Sequence, residues 1–122
     1  MLPDCIIFDE STAMLDPIGR SEVLAVMEKL VLEHGITVIN ITHHMSEAVR
    51  ADRVIVMDKG LVIADATPRE IFSNEDLIKK AGLELPQSAE LIHALKRHGV
   101  EIDKMPVTVE EAARAIMEFS KK

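Results

Sequence analysis

Two short apolar runs rich in β-branched residues, at residues 5–8 (Cys5 to Phe8) and 36–41 (Ile36 to Ile41), flank a segment with helical spacing. This order most constrains the fold. The first run does not alternate polar with apolar residues, which predicts a strand buried on both faces, as in a parallel sheet. Cys5 lies inside the first run and is expected to be a buried core thiol. Between the runs, Pro17 takes the first position of a helix with Asp16 as its N-cap. Val23, Leu24, Met27, Leu30 and Val31 then form one apolar face, and His34-Gly35 closes the helix with a left-handed cap. Strand, helix, strand is a βαβ unit, so the fold class is α/β with a mostly parallel sheet and a right-handed crossover.

Farther on, Ser46 to Ala51 reads as a short helix and Arg53 to Met57 as a third strand. Asp58-Lys59-Gly60 is a turn signal before a return strand over Leu61 to Ala66. Thr67-Pro68-Arg69-Glu70 is a complete helix start, followed by Ile71, Phe72, Leu77 and Ile78. Gly82 to Gln87 reads as a linker. Beyond it, Leu91, Ile92 and Leu95 form one helical stripe, ended by His98-Gly99. Val109, Ala112, Ala113, Ile116 and Met117 form another, opened by Thr108 with Glu111 three residues later. Two domains are expected on this basis: residues 1–80, and a helical appendage over residues 81–122.

The chain has 122 residues and a net charge of −7, which gives no support to nucleic-acid binding. With three Phe and no Trp or Tyr, stacking on bases has almost no residues to work with. One cysteine excludes an internal disulfide and fits a reducing compartment. No apolar stretch approaches the roughly 20 residues that span a bilayer, and Met1-Leu2-Pro3-Asp4 has no signal-peptide pattern. The expectation is a soluble chain whose membrane role, if any, comes through partners.

Asp9 and Glu10 end the first strand, and adjacent carboxylates repel unless a cation or dipole offsets them. Taken alone, the pair is most simply a solvated loop start. The second strand, however, ends Asn40-Ile41-Thr42-His43-His44. Parallel strands bring their C-terminal ends to one edge, about 4.8 Å apart when they are neighbours. Ligands bind at that edge in open α/β sheets. Two carboxylates and an imidazole around one crevice suit metal-assisted hydrolysis. The physical reading is a divalent cation near Asp9, with Glu10 left to act on a water. His44 points to the opposite side from His43 in an extended segment, so it reads as a neighbour and not a ligand. His34, His93 and His98 sit at helix ends or on helix faces, where a structural role is the simpler reading.

Four segments carry a family resemblance. Cys5-Ile6-Ile7-Phe8-Asp9-Glu10 resembles a Walker B strand with its catalytic glutamate, and Ala13-Met14-Leu15-Asp16-Pro17 the D-loop of ABC ATPases. Ile41-Thr42-His43 resembles their H-loop, and Ala51 to Gly60 the strand and turn that follow it. Glu10-Ser11-Thr12-Ala13-Met14-Leu15-Asp16 is similar to the energy-coupling-factor importer ATPases, as is the region from Ala81 to Ser120. The resemblance implies the C-terminal half of an ABC transporter ATP-binding subunit, that is, part of a P-loop (RecA-like ABC) nucleotide-binding domain. The small C-terminal helical appendage would then serve subunit pairing.

It also implies roles. ATP and Mg²⁺ would be the ligands, with Asp9 orienting the metal, through a coordinated water. Glu10 would be the general base, and His43 would hold the γ-phosphate and position the water. Asp16 would reach across a dimer interface toward the partner's nucleotide site. Partners would be a second ATPase subunit, a transmembrane coupling protein and a substrate-binding membrane component. The location would be peripheral, on the cytoplasmic face of the membrane, and the transported substrate a vitamin or a transition-metal ion. His44 departs from the family, where that position is more often acidic or aromatic.

No Gly-x-x-x-x-Gly-Lys-Ser/Thr occurs in the sequence, nor a glutamine loop or a Ser-Gly-Gly signature. The first of these supplies the backbone N–H groups and lysine that hold phosphates. The chain is therefore expected to be a truncated ATPase that, alone, neither binds ATP appreciably nor hydrolyses it. In relatives the phosphate-loop strand lies between the H-loop strand and the 54–57 strand. Without it the sheet should re-pair or self-associate. A non-transport ABC ATPase of DNA repair or translation, and a non-catalytic pairing module with vestigial motifs, are the alternatives.

Overall fold

A computed structural model describes residues 2–121. The order is strand β1 (Cys5–Asp9), helix α1 (Pro17–His34), β2 (Thr37–Ile41), α2 (Met45–Ala48), β3 (Val54–Asp58) and β4 (Leu61–Ala66). Four helices follow: α3 (Pro68–Ser73), α4 (Glu75–Lys80), α5 (Gln87–Arg97) and α6 (Val109–Ser120). The chain divides into two compact units between His43 and His44.

The first unit is the expected βαβ arrangement. β1 and β2 pair in parallel, with Cys5 opposite Thr37 and Asp9 opposite Ile41. Helix α1 starts and stops where its signals predict. The Asp16 carboxylate accepts from Gly19 N, Pro17 stands at the first position, and Gly35 closes the helix at φ 63°. Leu24 and Met27 are buried, as is Ile36 just before β2.

Burial on β1 and β2 alternates, and this corrects the expectation that the first strand is buried on both faces. Ile6, Phe8, Val38 and Asn40 are half-buried, whereas Cys5, Ile7, Asp9, Thr37, Ile39 and Ile41 are exposed. Cys5 is thus an exposed thiol and not a core one. The reason is that α1 covers one side of the two-stranded sheet and no element of the unit covers the other. Parallel pairing is confined to β1–β2 among the described residues.

The second unit opens with α2, shorter than expected, and an antiparallel β3–β4 hairpin. The hairpin turns through Lys59 and Gly60, both at positive φ (52° and 79°). This is the two-residue geometry that matches strand twist. The apolar pattern from Ile71 to Ile78 reads as one helix, but Asn74 interrupts it. Its side chain accepts from Leu77 N at 3.1 Å and so caps a new helix.

The core of this unit joins residues from both sides of the expected boundary at residue 80. Val56, Ile71, Phe72 and Ile78 pack in one buried cluster with Ala89, Ile92, Ile102 and Met105. Polar clamps reinforce it. Arg69 donates to both Glu111 carboxylate oxygens, at 3.1 and 3.2 Å, and to the Met105 carbonyl. His93 is buried, with Nε2 2.8 Å from the Phe72 carbonyl, and Glu75 lies beside it while accepting from Arg97 at 2.7 Å. Residues 81–121 are therefore packed into the same unit as the hairpin, and the packing does not part at residue 80.

Candidate active site

The parallel register brings the β1 and β2 ends together. Because Asp9 lies opposite Ile41, the next residue, Glu10, donates its backbone N–H to the Ile41 carbonyl at 2.8 Å. Two residues past Ile41, His43 turns back toward the same edge. Its Nδ1 lies 3.3 Å from Glu10 Oε1. Both side chains are more than half exposed, so this contact is open to solvent.

Glu10 reaches this position through an uncommon backbone. Its φ is 51°, in the left-handed region that a non-glycine residue enters at a cost of roughly 1–2 kcal/mol. The turn is held on both sides, by the bond to Ile41 and by Ala13 N donating to the Glu10 carbonyl at 3.1 Å. A strained residue pinned at a strand end is the kind of feature that functional sites retain.

The hydrogen bond constrains the imidazole. An ionised carboxylate only accepts, so Nδ1 carries a hydrogen toward Glu10. A neutral His43 in that tautomer presents a lone pair at Nε2. To donate from Nε2 to another acceptor it must take up a second proton, or else leave Glu10.

Asp9 is exposed at the end of β1. Among the described residues no group of three His, Cys, Asp or Glu side chains could hold a metal ion. Asp9 offers a carboxylate, the ligand type of which magnesium takes one or two beside substrate phosphates while keeping several waters. Asp16 is not gathered onto Glu10 and His43 by any hydrogen bond. Its Oδ1 accepts from Gly19 N at 2.7 Å, over the first turn of its own helix. Met14, beside it, is 96% exposed. His44 stands at the N-cap of α2 without a side-chain capping bond. Periodicity gives no reason to single out Gly19, although a glycine in a helix's first turn is itself a signal.

Comparison with known proteins decides the family. No family model matches the chain. It is 53% identical over 116 residues to the energy-coupling factor transporter ATP-binding protein EcfA1 of Caldanaerobacter subterraneus subsp. tengcongensis. That alignment covers 95% of this chain and 42% of the relative. EcfA1 of Clostridium novyi is 52% identical over 119 residues, covering 98% of this chain and 42% of the relative. The chain belongs with the energy-coupling factor transporter ATP-binding proteins, over the part of them that it spans. A solved structure of cbiO1 from Clostridium perfringens, part of the ABC transporter complex cbiONQ, aligns with a TM-score of 0.56 and 38% identity. The alignment covers 75% of this chain and 37% of cbiO1. The chain thus spans under half the length of the energy-coupling factor proteins it matches, and its fold is part of an ABC ATPase nucleotide-binding domain. No helix among the described residues is long and apolar enough to cross a membrane.

Proposed function

We propose that this chain forms the water-activating part of an ATP-hydrolysing subunit that drives an energy-coupling factor importer. The observation that carries the reading is the 3.3 Å approach of Glu10 to His43 at the shared C-terminal edge of the parallel strands. Glu10 is the general base. Its carboxylate is exposed, held by a fixed backbone turn, and able to accept a proton from a water at the edge. His43 orients Glu10 through Nδ1 and offers Nε2 to the γ-phosphate. Because that donation needs a second proton or release from Glu10, phosphate binding and the Glu10 contact are coupled through one ring.

Asp9 fits as one ligand of Mg²⁺, through a coordinated water. The ion, when bound, would offset charge on the phosphates of ATP. Phosphoryl transfer demands placed charge more than covalent chemistry, and these residue types supply it. Asp16 serves the neighbouring nucleotide site, from a loop that ends on the cap of α1.

The sequence holds no phosphate-cradling glycine loop, so by itself it neither binds ATP appreciably nor hydrolyses it. Residues 81–122 serve pairing with a second ATPase subunit. The assembly includes a transmembrane coupling protein and a substrate-binding membrane component, lies peripherally at the cytoplasmic face, and imports a vitamin or a transition-metal ion.

The test is Glu10→Gln in the full ATPase subunit carrying this chain. The amide keeps the size and loses the base, so turnover should fall at least about 100-fold while ATP binding is retained. Wild-type turnover in that variant would place the base elsewhere.

A further inference from the structure

The loop that joins Glu10 to Asp16 is exposed at every residue but one. From Asp9 to Ile18 the side chains are open to solvent, except that of Thr12, which is 1% exposed. Two backbone turns interlock around it. Ala13 N donates to the Glu10 carbonyl at 3.1 Å, and Leu15 N donates to the Thr12 carbonyl at 3.1 Å. Thr12 thus lies inside the turn that starts at Glu10, and it opens the next one.

Packing alone would be met by valine, which has the shape of threonine. A hydroxyl taken out of water is costly unless it is bonded, and Thr12 is not without a partner. The strained backbone of this loop is close by. Glu10, two residues earlier, holds φ 51°, and such a conformation persists only where its surroundings over-determine it. The backbone bonds at Ile41 and Ala13 close the Glu10 turn. A turn packed by no side chain could still pivot on the strand end, and Thr12 is the side chain of this loop placed to stop it.

We propose that Thr12 is a positioning residue for Glu10, its buried hydroxyl locking the turn that aims the carboxylate. It acts through Glu10 and not on the reacting atoms. The inference rests on the reading of Glu10 as the general base.

The test is a double-mutant cycle in kcat, in the full ATPase subunit carrying this chain. ATP-binding sites are counted by titration, so that a misfolded fraction does not enter kcat. Thr12→Val keeps the shape and loses the hydroxyl; it should lower kcat about tenfold and leave KM for ATP within about twofold. Thr12→Ser keeps the hydroxyl and should stay near wild type. Added to Glu10→Gln, Thr12→Val should cause no further loss, because no base is left to misplace. Wild-type kcat in Thr12→Val, or equal losses in Thr12→Val and Thr12→Ser, would overturn the proposal. So would a further loss of about tenfold on top of Glu10→Gln, since Thr12 would then act independently of the base. Wild-type turnover in Glu10→Gln alone would instead defeat the reading of Glu10, whatever Thr12→Val does.

Discussion

Ile92 tests whether residues 81–121 form an autonomous module or complete the core of the hairpin unit. The side chain is 0% exposed and packs among Val56, Ile71, Phe72 and Ile78. Ile92→Ala removes three carbons, at about 0.8 kcal/mol each in lost transfer free energy, or about 2.4 kcal/mol. A cavity term adds to this where the surroundings cannot collapse, giving about 3–4 kcal/mol in total. With a urea slope of about 2 kcal/mol/M, the unfolding midpoint should fall by about 1.5–2 M. Leu91→Ala is the control on the same helix; its side chain is 47% exposed, and it should cost under about 1 kcal/mol. Amide hydrogen exchange locates the effect. In a shared core, Ile92→Ala should speed exchange at Val56, Ile71 and Phe72 as well as in α5. If those three amides keep wild-type protection while only α5 and α6 open, the shared-core reading is wrong and the extension folds by itself.

Two further predictions concern charge and backbone. The Arg69 guanidinium, with help from the Val107 amide, holds the Glu111 carboxyl below the ordinary glutamate value of 4.5. A depressed carboxyl stabilises the fold fully above that pH, and the stabilisation is lost as pH falls toward the folded value. Glu111→Gln should therefore cost about 1–2 kcal/mol at pH 7, and urea midpoints of variant and wild type should converge as pH falls below the ordinary glutamate value. At the hairpin turn, Lys59 holds φ 52°, which asparagine tolerates better than lysine. Lys59→Asn should raise stability by up to about 1 kcal/mol in thermal unfolding, and a loss would mean that the lysine side chain has a role there.

The parts of the fold legible in the sequence are those with local chemistry at their ends. Asp16, Pro17 and Gly35 bound α1, and Thr108 with Glu111 opens α6, because each satisfies a backbone group within a few residues. What escaped is decided by neighbours distant in sequence. Ile71, Phe72, Leu77 and Ile78 keep a helical rhythm across Asn74, so periodicity alone runs two helices into one. The apolar run at Cys5 signals burial, but exposure depends on what covers the sheet, and within the first unit α1 covers only one side. The clamp of Arg69 on Glu111 spans 42 positions and has no local signature.

The candidate site was legible for a different reason: register. A strand has a side-chain period of two, so one residue of slip between β1 and β2 would send their side chains to opposite faces. Asp9 opposite Ile41 is the pairing that lets Glu10 bond to the Ile41 carbonyl and leaves His43 two residues beyond it. Motif order could anticipate that both ends meet at one edge, since parallel strands must share it. It could not anticipate that Glu10 arrives there through a left-handed turn. That turn is what aims its carboxylate at His43 instead of along the strand, and it persists because hydrogen bonds to Ile41 and Ala13 hold it from both sides.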